Sequence, residues 1–372
     1  MLGAFGSSRQ WYDPPVFVVT SHFDWWPQTL ASHAQHHRCL PNLSRITRLM
    51  GRLPIPAGLK RCLVPIWNEA HRIGWLVRDY SAACVHGRWK TCVVCGKFRP
   101  MLLRRRVIPR RLVELWGLSP RLAEALARKE SSDCSNCGAK LRARRIAAVI
   151  LRNFQVGNPP APVRSIREWT RSQEIVRLKI AEINRIEGLH EELACLPGFQ
   201  ASDYHPGARP GEIVAGSRSE DLTHLTHPDD SFDLVLTSET LEHVPGLATA
   251  LEEIGRVLVP GGHHIFTVPQ LPGVAQTFAR IVTRSDGTLD DRAARICHPG
   301  GDVGYPVFTE FGSDLPEILR EAGFEVNVFF GPASNDDLAQ VYVCRKPDRQ
   351  PIKNKLSLEA PAEAPLFRHP PD

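Results

Sequence analysis

The chain has 372 residues, 42% of them hydrophobic and 23% charged, with a formal net charge of +6. That is ordinary globular composition, long enough for two or three domains and a sizeable core. No apolar run approaches the ~20 residues of a membrane span, and Met1–Arg9 lacks the basic start and apolar centre of a signal peptide, which argues against a secreted, membrane-spanning or wholly disordered chain.

The charge is divided unevenly. Residues 1–150 carry 25 Lys and Arg against 8 Asp and Glu, a net of +17, whereas the remainder carries 21 against 32, a net of −11. All eight Trp fall between Trp11 and Trp169. The basic half suits a polyanion or acidic substrate, or simply solvates exposed helices. Residues 1–90 contain one strand-like run, Pro15-Val-Phe-Val-Val-Thr20, followed by a stretch rich in Trp, His and Pro. No function is assigned to them.

Residues 91–152 form the first segment with a chemical signature. Thr91-Cys-Val-Val-Cys-Gly96 and Asp133-Cys-Ser-Asn-Cys-Gly138 repeat the same turn, with 38 residues between Cys95 and Cys134. Two thiolates three residues apart on a tight turn hold one side of a metal ion, and the following glycine permits the positive φ such a turn uses. Two turns complete a four-thiolate site, so Cys92, Cys95, Cys134 and Cys137 are predicted to bind structural zinc, with iron the alternative. The insert between them carries an amphipathic helix, Pro120–Arg128. The other six cysteines are irregularly spaced and read as small buried hydrophobes, which fits a reducing, cytoplasmic setting. A basic helix over 141–151 and a Pro-rich linker, within 153–174, lead to the next domain.

Residues 175–345 alternate strands and helices, the pattern of a parallel α/β sheet. Strands are expected over 176–183, 199–204, 212–216, 232–237, 262–268, 324–330 and 339–343, with helices over 188–196, 246–259, 274–283 and 315–322. From Lys346 to Asp372 six prolines predict a disordered tail.

Within that domain stand Ser219-Glu-Asp-Leu222, Pro228-Asp-Asp-Ser-Phe-Asp233, Leu241-Glu-His-Val244 and Arg256-Val-Leu-Val-Pro-Gly-Gly262. This ordered series resembles the class I S-adenosylmethionine-dependent methyltransferases, specifically the methyltransferase type 11 group, over about residues 175–345. The resemblance implies a Rossmann-like seven-stranded sheet with S-adenosyl-L-methionine as cofactor. It assigns the cofactor's ribose to Asp203, its adenine to Asp221 and the backbone of Leu222, and its methionine part to Ser238 and Glu239. Members carry a G-x-G-x-G loop after the first strand. Here that loop is Ile180-Ala-Glu-Ile-Asn-Arg-Ile-Glu-Gly188, in which Glu182 keeps the acidic position, Gly188 is the one glycine and Asn184 tolerates a left-handed turn.

The chain is also similar to zinc-ribbon methyltransferases linked with sugar or cell-envelope synthesis, in which this loop is degenerate. That implies O-methylation of a sugar or another small polar acceptor, a small molecule or a glycan. His298 and Asp302 are the candidates on the acceptor side, where a histidine beside an acid can accept a hydroxyl proton. Two competing readings are an RNA methyltransferase clamped by the basic half and a partner-binding protein whose fold has lost its cofactor. No residue is assigned as catalytic.

Overall fold

The computed structural model describes residues 73–348 apart from 75–76, 104–107, 109, 116, 158–161, 271–272, 285, 299–303 and 332–337. The expectations for residues 1–72, for Asp302 and for the tail beyond residue 348 lie outside the described residues. Contacts divide the described chain into two units, one holding 90–99 with 133–348 and the other 73–89 with 100–132. The second contains the expected insert helix, here α2 (Pro120–Ser131) after the short α1 (Arg110–Leu115). Ser119 caps α2 by accepting a hydrogen bond from Leu122 N, and Pro120 occupies a first-turn position where a missing N–H costs nothing.

Around the first knuckle run β1 (Trp89–Thr91) and β2 (Phe98–Leu103), and β3 (Ser132–Cys134) leads into the second. The chain continues through α3 (Leu141–Asn153) and α4 (Ile166–Trp169). The strands that follow are β4 (Ile180–Ile183), β5 (Phe199–Asp203), β6 (Ile213–Val214), β7 (Ser217–Ser219), β8 (Phe232–Ser238) and β9 (Leu258–Thr267). Short strands β10 (Phe278–Ala279), β11 (Ile281–Thr283), β12 (Leu289–Asp291), β13 (Cys297–His298), β14 (Tyr305–Pro306) and β15 (Thr309–Glu310) precede β16 (Glu325–Phe329) and β17 (Val341–Arg345).

Eight of these strands form one sheet in the order β16-β17-β9-β8-β4-β5-β7-β6. β4 lies parallel between β5 and β8, with Ile180 opposite both Phe199 and Leu234, and β17 runs antiparallel between β9 and β16. The strand order reverses between β4 and β8. In an open α/β sheet the crevice beyond the carboxyl ends of the strands at such a reversal is where ligands bind. One sheet face is covered by α6 (Leu247–Val257) and α7 (Leu315–Glu321). Leu247, Leu251 and Ile254 lie three or four residues apart on α6 and pack with Val235, Phe266 and Tyr342 in the main core. Helix α3 contacts β9 and β17, and Phe154 just beyond it stacks edge-on against His263 at 5.3 Å.

The expected α/β sheet is present, with differences of detail. The first strand spans 180–183 alone, because Ile175–Arg177 closes into a 3-10 turn. The predicted third strand, 212–216, is a tight hairpin: Val214 pairs with Ser217 across Ala215 and Gly216, both at positive φ, and it is β7 that lies parallel to β5. The predicted helix over 274–283 is β10 and β11, paired antiparallel with β15 and β12. Residues 153–174, read as a linker, contain α4, with Trp169 fully buried and its indole N–H donating to Phe154 O. Of the cysteines read as buried, Cys344 is; Cys84, Cys195 and Cys297 are exposed, and Cys39 and Cys62 lie outside the described residues.

Two buried polar features give measurable stability effects. His264, fully buried in β9, stacks on Phe266 at 4.4 Å and contacts Thr237 Oγ1 through Nε2 at 3.0 Å. Burial lowers its pKa from 6.5 to about 3. The folded value lies below the unfolded one, so the associated stability is complete above about pH 6.5 and drains as pH falls toward 3. Between pH 7 and 5 His264→Leu is expected to remove about 2 kcal/mol of the wild type's acid sensitivity, at roughly 1.4 kcal/mol per pH unit. Denaturant titrations of both proteins at the two pH values check this. Arg280 and Glu310 form a buried ion pair, and Arg280 also donates to Ala294 O at 2.9 Å. Glu310→Ala leaves that guanidinium uncompensated and is expected to cost about 3–5 kcal/mol, read as a lower denaturation midpoint.

Candidate functional site: a sheet-end crevice welded to a cysteine cluster

The two knuckles have one hydrogen-bond pattern. Gly96 N donates to Cys92 O at 2.8 Å and Gly138 N to Cys134 O at 2.9 Å, both glycines at positive φ. Cys92 N then donates to Lys97 O and Cys134 N to Ala139 O. Sγ of Cys92 lies 3.8 Å from that of Cys137, and Sγ of Cys95 lies 3.9 Å from that of Cys134. A tetrahedron with metal–sulfur bonds of about 2.3 Å has edges of about 3.8 Å. These two pairs therefore already stand at the separations a zinc-sized ion sets, with all four sulfurs within 4.8 Å of one another. As bare thiols they do not all ionise together: hydrogen bonds from Cys137 and Cys92 hold Cys134 well below the ordinary thiol range, and the hydrogen bond to Cys134, with burial and its charge adding, pushes Cys92 up to about 12.

The cluster is fastened to the sheet. Ile166 N and Arg167 N donate to Val93 O and Val94 O of the first knuckle, and a Cβ on Gly96 would stand 2.8 Å from Ser165 Oγ. Gly188, at φ +78°, lies against the second knuckle, where a Cβ would stand 2.6 Å from Ala139 N. Lys140 pairs with Glu187 at 2.9 Å, and Arg144 donates to Ala139 O. Gly188 thus lets the loop backbone pack closely on the second knuckle.

Glu182 is also differently employed. It is fully buried, accepts from Ile186 N at 3.2 Å and contacts His190 Nδ1 at 2.5 Å. Burial raises its pKa, with the His190 contact opposing. Its carboxyl closes the loop upon itself through Ile186 and His190. Asn184 does adopt the left-handed conformation, φ 63°. Its Oδ1 accepts from Tyr204 N at 3.1 Å and its Nδ2 reaches Thr240 Oγ1, so it ties together the ends of β4, β5 and β8.

The remaining candidates stand at the carboxyl ends of neighbouring strands. Asp203 ends β5, half-buried, with Oδ1 accepting from Arg185 N at 3.3 Å and Oδ2 from Ser217 Oγ at 2.7 Å. Asp221 follows β7, and its Oδ1 accepts from Thr223 N and Oγ1 in a local turn that buries Leu222. Ser238 ends β8 and shares a 2.9 Å hydrogen bond with Thr267. Glu239 is held at φ 52°, and its N–H donates to Thr267 O. A non-glycine residue in the left-handed region is the kind of backbone strain that collects at functional sites.

Residues 203–266, which include these positions and β8, match the family described as Methyltransferase domain. Those residues thus carry the signature of a methyltransferase domain. Methyltransferase GfsG of Streptomyces halstedii is 30% identical over 106 residues, 28% of this chain and 33% of that protein, so the chain spans about a third of this relative. Among solved structures, an S-adenosylmethionine dependent methyltransferase from Mesorhizobium loti is 20% identical and covers 45% of this chain and 90% of its own, at a TM-score of 0.29. A Burkholderia thailandensis 1,6-didemethyltoxoflavin-N1-methyltransferase, determined with S-adenosylhomocysteine, is 19% identical and covers 47% and 74%, at a TM-score of 0.30.

Several residues of the methyltransferase domain do structural work that their motifs do not announce. Arg256 grips Glu253 with two nitrogens and also donates to Asp229, His227 O and Leu225 O, so the Pro-Asp-x-Ser-Phe-Asp turn is locked onto α6. Glu220, beside Asp221, is buried and accepts from Thr226 N and Arg218. Gln270, at the exit of β9, accepts from Tyr342 Oη at 2.9 Å and donates to Gly312 O. The sequence marked the charge and position of these side chains but not their partners, which lie up to 72 residues away. His298 faces His243 and Glu242, and Asp302, the other acceptor-side candidate, lies outside the described residues. No helix among the described residues is long and apolar enough to cross a membrane.

Proposed function

We propose that this chain transfers a methyl group from S-adenosyl-L-methionine to an oxygen of a sugar or other small polar acceptor, and that zinc fills the four-cysteine site. The observation that carries the reading is the row of Asp203, Asp221, Ser238 and Glu239 at the carboxyl ends of β5, β7 and β8, beside the strand-order reversal. Ribose hydroxyls are donors and need a carboxylate such as Asp203. Adenine needs a polar edge such as Asp221 with the backbone of Leu222. Bound S-adenosylmethionine supplies an electrophilic methyl carbon, and what the chain adds is alignment of acceptor oxygen with that carbon, which lowers the barrier by positioning alone. The sugar-like acceptor is supported by the resemblance to zinc-ribbon methyltransferases of sugar synthesis.

A second reading has its own support. The loop after β4 is committed to Glu182–His190 and to the knuckle, which favours a partner-binding protein with no working cofactor site. Calorimetric titration of the metal-replete protein with S-adenosylhomocysteine separates the two. Micromolar affinity, about −8 kcal/mol, is the expected result. No heat at several temperatures together with no thermal shift favours the binding protein.

A further inference from the structure

Beside the exit of β8, Glu242, His243 and His298 offer one carboxylate oxygen and two imidazole nitrogens within 4.8 Å of one another. Glu242 is fully buried, while the His243 and His298 side chains are 21% and 19% exposed. Nε2 of His243 lies 3.2 Å from Nδ1 of His298, and Glu242 Oε1 lies 3.6 and 3.8 Å from those two nitrogens. The carboxylate separations are too long for hydrogen bonds. A divalent ion bonded at about 2.0–2.1 Å to two imidazoles and a carboxylate holds them about 3.3–3.4 Å apart in a tetrahedron. The three atoms need to move by only a few tenths of an ångström to meet that geometry.

The surroundings orient the ligands. His243 Nδ1 lies 2.8 Å from Pro306 O. A carbonyl only accepts, so Nδ1 carries the proton and Nε2 presents its lone pair to the cluster. A metal-bound histidine is aimed in this way by the hydrogen bond of its other nitrogen. The β13–β14 hairpin supplies both parts: His298 is opposite Tyr305, and Cys297 opposite Pro306. Gly304 in that hairpin sits at φ +81°, where a Cβ would come 2.9 Å from His298 O. Phe308 N donates to Glu242 O at 2.7 Å, fastening the strand-end turn to the same hairpin region.

We infer that Glu242, His243 and His298 form a second metal site, taking a divalent transition-metal cation of the zinc class through two nitrogens and one oxygen. The donor set of two imidazoles and one carboxylate suits zinc, iron(II) or cobalt(II) and is too nitrogen-rich for calcium or magnesium. The exposed edges of the two imidazoles leave a coordination position open to an oxygen ligand. Its place beside Ser238 and Glu239 makes an acceptor hydroxyl the exchanging ligand, a point that rests on the methyl-transfer reading, whereas the metal site itself does not.

The test counts metals in the full, untagged chain. After incubation with excess zinc and gel filtration, the wild type is expected to hold two equivalents, and His298→Ala and His243→Gln one each. S-adenosylhomocysteine affinity should stay within threefold in His298→Ala, so loss of the second metal is separable from failure of the cofactor site. Cobalt(II) gives an independent reading. The cysteine site shows intense thiolate charge transfer in the near ultraviolet, and the second equivalent adds only weak visible bands that vanish in His298→Ala. A wild type that holds one equivalent at saturating zinc, or a second equivalent that survives in both histidine variants, overturns the assignment.

Discussion

Cys134→Ser is expected to remove the ion of the cysteine site and, with it, at least tenfold of the affinity for S-adenosylhomocysteine. Four-thiolate zinc sites contribute folding energy outright, with apparent binding free energies of about 10–16 kcal/mol in small zinc domains. That rivals the whole stability of an ordinary domain, about 5–15 kcal/mol. The effect does not stay at the cluster. Ala139 follows the second knuckle directly and packs on Gly188, Lys140 holds Glu187, and the backbone of the first knuckle accepts from Ile166 and Arg167. Gly188 in turn begins α5 (Leu189–Leu193), which carries the His190 that closes the loop through Glu182. Loosening the knuckle therefore loosens the loop whose Arg185 N–H reaches Asp203. Metal analysis, thermal unfolding and calorimetry on the variant check the three parts, with a midpoint lowered by at least 10 °C expected on the scale of a few degrees per kcal/mol. Should the variant fail to fold, graded chelation of the wild type gives the same readouts. Full ligand affinity in metal-free, folded protein would show that the cluster and the crevice are independent.

Asp203→Ala is expected to weaken S-adenosylhomocysteine binding by at least 100-fold. A carboxylate that accepts from two ribose hydroxyls makes two charge-assisted hydrogen bonds, each worth about 1.5–3 kcal/mol. Their loss corresponds to two to four decades of affinity at 1.4 kcal/mol per decade. The carboxylate's protein partners, Arg185 N and Ser217 Oγ, are near enough to the surface to turn to water, so the fold should survive with a small change in midpoint. Asp203→Asn keeps one acceptor and should lose about tenfold. Unchanged affinity in both variants would sink the ribose assignment while leaving the fold assignment intact.

How far the sequence reached depended on whether a feature is local. The knuckles were legible because C-x-x-C-G is a complete local instruction, and the structure brings four thiols separated by 38 intervening residues to within 3.9 Å in facing pairs. The strands of the central sheet were legible because buried parallel strands are short, nearly continuous apolar runs such as Leu234-Val-Leu236. The predicted helix over 274–283 failed because Val274-Ala-Gln-Thr-Phe-Ala-Arg280 has a helix-like spacing of apolar residues, while its partners, Thr309 and Glu310, lie some thirty residues downstream. The packing of Gly188 was not legible for the same reason: its neighbour is Ala139, and nothing in the loop's own letters points there. Glu182 was legible as an acid ending a strand, and only the fold shows His190 turned back onto it.

The knuckles lie in one compact unit with the sheet, whereas residues 100–132 between them belong to the other. In polymer terms an ion bound by the four thiolates would close a ring at the base of an excursion, and the entropy of ring closure grows only with the logarithm of ring length. Doubling the excursion would cost about 0.6 kcal/mol, far below what the four bonds to the ion return. Once the clasp exists, the chain between the knuckles is thermodynamically free to lengthen, shorten or be exchanged. The cysteine spacing that looks long for a ribbon is thus a place where new sequence can be accommodated at little cost to the sheet it is anchored beside.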